Sequence, residues 1–128
     1  MHEHPQSATS WQLHSMRKLK ESPNAIVVDS HLCQFDLWTT DKDGAKIRAK
    51  KPTRFITNSP MIAKHLSVMC DGTHAHGHLL SGRAGPAAKY TQKMCRAIVE
   101  GVLEQKRMDG TNVAQVTRIS SVSAMKGK

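Results

Sequence analysis

One thiol and three imidazoles fall within nine residues, at Cys70, His74, His76 and His78. No other feature of the sequence constrains the fold as strongly. Thiolate and imidazole are the ligands zinc takes in structural sites, four of them in a tetrahedron. His74, His76 and His78 alternate, so an extended backbone projects all three to one side. A turn at Gly72 lets Cys70 fold back toward His74. The fourth ligand is His78 or a residue from another segment. Cys33 is the candidate there, because it follows the first predicted strand, in a loop where neighbouring loops converge. The expected set is therefore Cys33, Cys70, His74 and His76, with His78 as the further candidate.

The pattern has no Cys-x-x-Cys pair and no second short knuckle. A polar, His-rich surface loop has the same composition, and Cys70 alone reads equally as a buried thiol at a helix end. A catalytic zinc keeps one position open and wants a carboxylate base nearby. Asp71 is adjacent to the cluster, but a closed structural site is the simpler expectation.

The rest of the chain makes such a staple useful. It has 128 residues, the length of one domain, with 38% hydrophobic residues. Only two Trp, two Phe and one Tyr supply large core side chains. No apolar run approaches the roughly 18 residues that cross a bilayer. The first ten residues carry His, Glu, Pro and Gln, unlike a secretion signal. Three cysteines make no disulfide framework. An intracellular, reducing setting in nucleus or cytoplasm is expected, with the thiols as metal ligands or core residues. Cys95, among apolar residues of a predicted helix, reads as a core thiol.

Lys and Arg total 19 against 10 Asp and Glu, a formal charge of +9. Such an excess favours a polyanionic partner, most commonly nucleic acid. Lys46, Arg48, Lys50, Lys51 and Arg54 form the densest positive stretch, suited to a phosphate backbone. Phe35, Trp38 and Phe55 are the only aromatics near it, so the sequence gives little sign of base stacking. Gly82-Arg83-Ala84-Gly85 leads into a helix near Pro86, where free N–H groups and Arg83 offer a second anion site. Its spacing matches neither a P-loop nor a dinucleotide fingerprint. No nucleophile–base pair and no paired carboxylates stand out, so no catalytic residue is assigned.

Hydrophobic spacing predicts a helix over about 11–21, capped by Ser10, and a buried strand at 25–29. A turn follows at 41–44, then a second strand at 54–58. Asn58 or Ser59 caps a helix running to about 69, with Pro60 near its first position. Residues 70–85 read as loop, 87–108 as the longest helix, and 113–119 as a last short strand. The expected fold is α/β: a small two- to three-stranded sheet with about three helices, a partial Rossmann-like unit. One domain spans 1–119, and 120–128 is a disordered basic tail. So small a sheet suggests a piece of something larger or a fold held by metal.

Two resemblances follow from particular residues. The first is carried by His2-Glu3-His4-Pro5, Trp11, Asp29, Cys33-Gln34-Phe35 and Lys51-Pro52-Thr53-Arg54-Phe55-Ile56-Thr57-Asn58. Cys70-Asp71-Gly72-Thr73-His74-Ala75-His76, Gly82-Arg83-Ala84 and Cys95-Arg96-Ala97-Ile98 continue it. Over about residues 1–103 the chain resembles a domain of copia-type retroelement polyproteins from microbial eukaryotes. That implies a module of a mobile element and no particular reaction. The second is distant: Glu-x-Pro, a strand, a Gln-bearing loop and a basic entry to a strand resemble the second half of a cytosine-5 DNA methyltransferase core. Glu3 takes the place of that family's base-contacting Glu, and Lys51 and Arg54 its basic positions. Glu3 is followed by His-Pro and not Asn-Val. The family's Pro-Cys nucleophile and S-adenosylmethionine loop would precede residue 1, so no methyl transfer is expected of this chain alone.

Together these readings predict a non-catalytic nucleic-acid-binding module, or relic, of a mobile-element polyprotein, stabilised by a structural zinc. The alternatives are a fragment of a DNA-modifying or DNA-cutting enzyme, with a catalytic metal at His74, His76 and His78, and a metal-free protein-interaction domain.

Overall fold

The computed structural model describes residues 1–79 and 89–110. The β-branched run in the first half forms β2 (Ile26–His31), and Pro52 opens β5 (Pro52–Thr57). They pair antiparallel with Val28 opposite Phe55 and Ser30 opposite Thr53. Residues alternate between faces along a strand. Val28, Ser30, Thr53 and Phe55 therefore lie on one face, while Val27, Asp29, Arg54 and Ile56 lie on the other. β1 (His2–Pro5) completes the sheet at the free edge of β5, giving the order β1–β5–β2.

Each face is covered. On the first, α2 (Pro60–Leu66) and α3 (Gln92–Met108) bury Leu66 and Met94 against Val28 and Phe55. On the second, a 3-10 turn (Thr9–Gln12) and α1 (His14–Lys20) bring Trp11 and Met16 onto Ile56. The Trp11 indole N–H donates to the Pro5 carbonyl over 2.8 Å, tying this layer to β1. Ser59 caps α2 by accepting from the Ile62 N–H, with Pro60 at the first turn. Thr91 caps α3 the same way through Met94. The two helices approach closely at Gly101, where an added Cβ would lie 2.7 Å from the Ile62 Cα. Gln105 reaches back, its Oε1 accepting from Ser59 Oγ and the Met61 N–H.

A second unit stands beside this sheet. β3 (Trp38–Thr40) and β4 (Lys46–Arg48) form a hairpin. Its turn uses Gly44 at φ +80° and the Asp41 carboxylate, which accepts from the N–H groups of Asp43 and Ala45. A 3-10 turn (Leu32–Phe35) joins β2 to the hairpin and buries Leu32, Cys33 and Phe35.

The α/β class holds, with three α-helices and sheets of three and two strands among the described residues. The partial Rossmann-like unit does not: every strand pairing within these sheets is antiparallel, and that fold needs parallel strands joined by helical crossovers. The helix expected over 11–21 is split into the 3-10 turn and α1, and the one expected over 87–108 begins at Gln92. Cys95 is exposed and not a core thiol. The inward stripe of α3 runs through Met94, Ala97, Ile98 and Gly101, and residue 95 falls off it. The expected strand at 113–119 and tail at 120–128 lie outside the described residues. No helix among the described residues is long and apolar enough to cross a membrane.

Candidate metal centre and basic hairpin

Cys33, Cys70, His74 and His76 meet at one point. One ligand atom from each lies within 4.8 Å of the others, and together they can hold a metal ion. Three come from the 70–77 loop and the fourth from the 3-10 turn after β2. The Cys70 Sγ is 3.6 Å from His74 Nε2 and 3.4 Å from His76 Nε2. With Zn–S near 2.3 Å and Zn–N near 2.0–2.1 Å, ligand atoms of one tetrahedron lie about 3.5 Å apart, so these spacings fit zinc. The two imidazoles are perpendicular, at 87°. His78 is not among the converging residues; alternation takes His74 and His76 to the site, and the chain leaves it at Gly77.

The loop is folded by its own sequence. Gly72 sits at φ +75°, a region that favours glycine, and its N–H donates to Cys70 Sγ over 3.3 Å. The Asp71 carboxylate accepts from the N–H and hydroxyl of Thr73, and that hydroxyl lies 3.4 Å from His74 Nδ1. These contacts hold the His74 ring with Nε2 toward the thiol. His31, at the end of β2, accepts from the Cys70 N–H through Nδ1 over 2.9 Å. This positioning role was not visible in the sequence, where His31 is one polar residue of a loop.

Burial, then a hydrogen bond with Cys70, pushes the Cys33 thiol up to about 11. A bound cation must therefore displace its proton. Burial, aided by His74 and Lys50, lowers His76 below the ordinary imidazole value. His31 is lowered by burial, Lys50 and His76, against a smaller opposing effect of Asp29. Both rings favour the neutral form, the form of imidazole that ligates metals.

The hairpin is joined to this centre. Arg48 pairs with His76 as a parallel bridge, and the Gly77 N–H donates to the Arg48 carbonyl over 2.8 Å. The Arg48 guanidinium donates to the Cys33 carbonyl over 2.7 Å. A Cβ at Gly77 would lie 2.5 Å from Ile47 Cγ2 and 3.0 Å from Thr39 Cγ2, so the loop fits against the hairpin only as glycine.

The basic stretch divides accordingly. Lys46 and Arg48 stand on the hairpin with Trp38, their charges 4.8 and 4.6 Å from its ring centroid. Exposed cation–π pairs of this kind contribute roughly 0.5–1 kcal/mol. Lys50 follows β4, close enough to act on His31 and His76, and Lys51 lies next at φ +37°. Arg54 is elsewhere, on the second face of the large sheet, bound to the Asp29 carboxylate over 2.8 and 3.2 Å. Arg83 and the glycine-rich segment around it lie outside the described residues. Glu3, the residue matched to the methyltransferase motif, pairs with Phe55 on the edge strand.

No protein-family model, no curated protein and no solved structure matches the chain.

Proposed function

We propose that the chain is a non-catalytic nucleic-acid-binding module of a mobile-element polyprotein, held together by one structural zinc. The convergence of Cys33, Cys70, His74 and His76 carries the zinc part of the reading. Four protein ligands fill a tetrahedron and leave no position for water or substrate, which separates structural from catalytic zinc. Asp71, the carboxylate nearest the centre in sequence, is engaged by Thr73 and so braces the loop. The nucleic-acid part rests on the charge of +9 and on a basic hairpin fixed to the metal loop. The polyprotein context rests on the resemblance over about residues 1–103.

The test is binding of a labelled oligonucleotide to the zinc-loaded chain across a salt series. The affinity should fall linearly on a log–log plot, with a slope that shrinks by about one for each phosphate-contacting Lys or Arg removed. Affinity that stays constant from low to physiological salt contradicts the reading.

A further inference from the structure

We propose that the outer face of the β3–β4 hairpin is a stacking site for an unpaired base of single-stranded nucleic acid, with Trp38 as the platform. The inference rests on the nucleic-acid reading and narrows it to one strand type and one surface.

Strand alternation sorts the hairpin into two faces. Thr39 and Ile47 point to Gly77 and the metal loop. Trp38, Thr40, Lys46 and Arg48 take the opposite face, with Trp38 directly across from Arg48. Trp38 keeps 39% of its surface exposed, whereas Trp11 keeps 2%. In a chain with five aromatics, one of the two indoles therefore lies outside the core.

The surroundings match a nucleotide in two respects. A planar ring supplies the face on which any base stacks, and ammonium and guanidinium beside it supply charge for the adjoining phosphates. Lys46 and Arg48 lie over the ring; the Lys46 ammonium can turn to a phosphate when a base takes its place, while Arg48, held by the Cys33 carbonyl and 3.9 Å from Asp36, keeps its charge at the rim. Residues 38–51 hold five Lys and Arg against two Asp. Asp41 is turned into the hairpin turn, where it accepts from backbone N–H groups. The platform is also fixed in place. Arg48 is bonded to Cys33 and Gly77, and the Ala49 N–H donates to the Leu37 carbonyl just before Trp38. A duplex hides its base faces in the stack and meets only the charges here. An acidic protein segment likewise leaves the ring without a planar partner.

The experiment titrates the zinc-loaded full chain with a single-stranded 12-mer, the same sequence as duplex, and heparin as a base-free polyanion. Tryptophan emission and polarisation are read together. The single strand should quench emission, and the other two should not. Trp38→Phe should retain binding within a few-fold while quenching disappears, because buried Trp11 is then the remaining emitter. Trp38→Ala, with an unchanged far-UV circular dichroism spectrum, should weaken single-strand binding roughly tenfold or more and leave duplex and heparin binding unaltered. If Trp38→Ala does not fold, Trp38→Phe decides: a folded Phe variant that no longer binds overturns the proposal. Unchanged single-strand affinity in Trp38→Ala overturns stacking while the nucleic-acid reading stands. Quenching by heparin equal to that by the single strand overturns it in favour of an acidic partner. Absence of binding to either nucleic acid removes both readings.

Discussion

The β1–β5–β2 sheet is covered on both faces by apolar side chains, whereas the hairpin and the 70–77 loop meet largely through polar atoms and sulfur. Trp11, Phe55, Leu66 and Met94 are almost fully buried around the large sheet. Burying a side chain of that size stabilises by roughly 1.5–3 kcal/mol. On the hairpin side the buried apolar contribution comes from Leu32, Phe35, Leu37 and Ala49, which belong to the same core and lie where the two units join. Beyond that join, Ile47 lies against Gly77 and Leu79 packs on the core edge, and the polar links include the Arg48–Cys33 and Gly77–Arg48 bonds beside the four residues that can hold a metal. One region is held by a core, and the other has few apolar contacts and a group of four residues that can hold a metal ion. A chain with so few large apolar residues can keep a functional surface rigid in this way without extending its core.

The largest expected effect separates the two regions directly. Chelation of the zinc-loaded protein should strip hydrogen-exchange protection from the Gly77 amide by orders of magnitude, because coordination energy in small sites is folding energy. The amides of β5 paired to β2 should lose far less. Equal loss in both regions would show a single cooperative unit and break the comparison.

A change in the apolar region should do the reverse. Gly101→Val places side-chain atoms against the Ile62 backbone. Overpacking of this kind costs about 1–3 kcal/mol. Urea unfolding should show a lower midpoint and a stability reduced by that amount, while zinc affinity measured by chelator competition stays within about two-fold of wild type, roughly 0.4 kcal/mol.

His31→Ala sharpens the account of the metal loop. It removes the acceptor for the Cys70 N–H. Groups that orient ligands typically contribute 10–100-fold in metal affinity. The lower end, about tenfold, is expected in chelator competition, since Gly72 still donates to the Cys70 sulfur.

The smallest effect concerns pH. Hydrogen bonds from His65 and then Lys64 hold the Glu104 carboxyl below its usual range. A lowered carboxylate value in the folded state adds stability above the unfolded value, and that stability is lost as pH falls through the folded one. Glu104→Gln should therefore flatten the acid limb of a stability–pH curve and change little once the pH has fallen below the folded-state value. The metal region has its own dependence with the opposite origin. Protons compete for Cys33 and the two imidazoles, so zinc affinity should rise with pH and uptake should release protons.

Much of this arrangement is legible in the residues. Cys33, Cys70, His74 and His76 are separated by 37 positions at the longest step, yet ligand chemistry and the strand before Cys33 single them out. The Ser59-Pro60 helix start and the Asp109-Gly110 stop are visible because capping is local chemistry. β1 is not visible: His2-Glu3-His4-Pro5 has no apolar alternation, and it is a strand because β5 offers an unpaired edge. The hairpin leaves a faint mark in Asp-Lys-Asp-Gly between Thr39-Thr40 and Lys46-Ile47-Arg48, easily read as a basic loop because most of its side chains are polar. Arg54 belongs by sequence to the basic stretch, but its strand register turns it to Asp29. His78 continues the alternation of the His run, but the loop has already left the centre at Gly77. Long-range pairing decides all of these, and no local pattern encodes it.

Native mass spectrometry of the full chain, before and after chelation and with circular dichroism alongside, tests the central claim most directly. One zinc per chain is predicted, lost on chelation together with the order of the hairpin and the 70–77 loop and so with a partial change in the spectrum, and absent from a Cys70→Ser variant. A chain that carries no zinc when loaded, and keeps the same spectrum with and without chelator, would contradict the account.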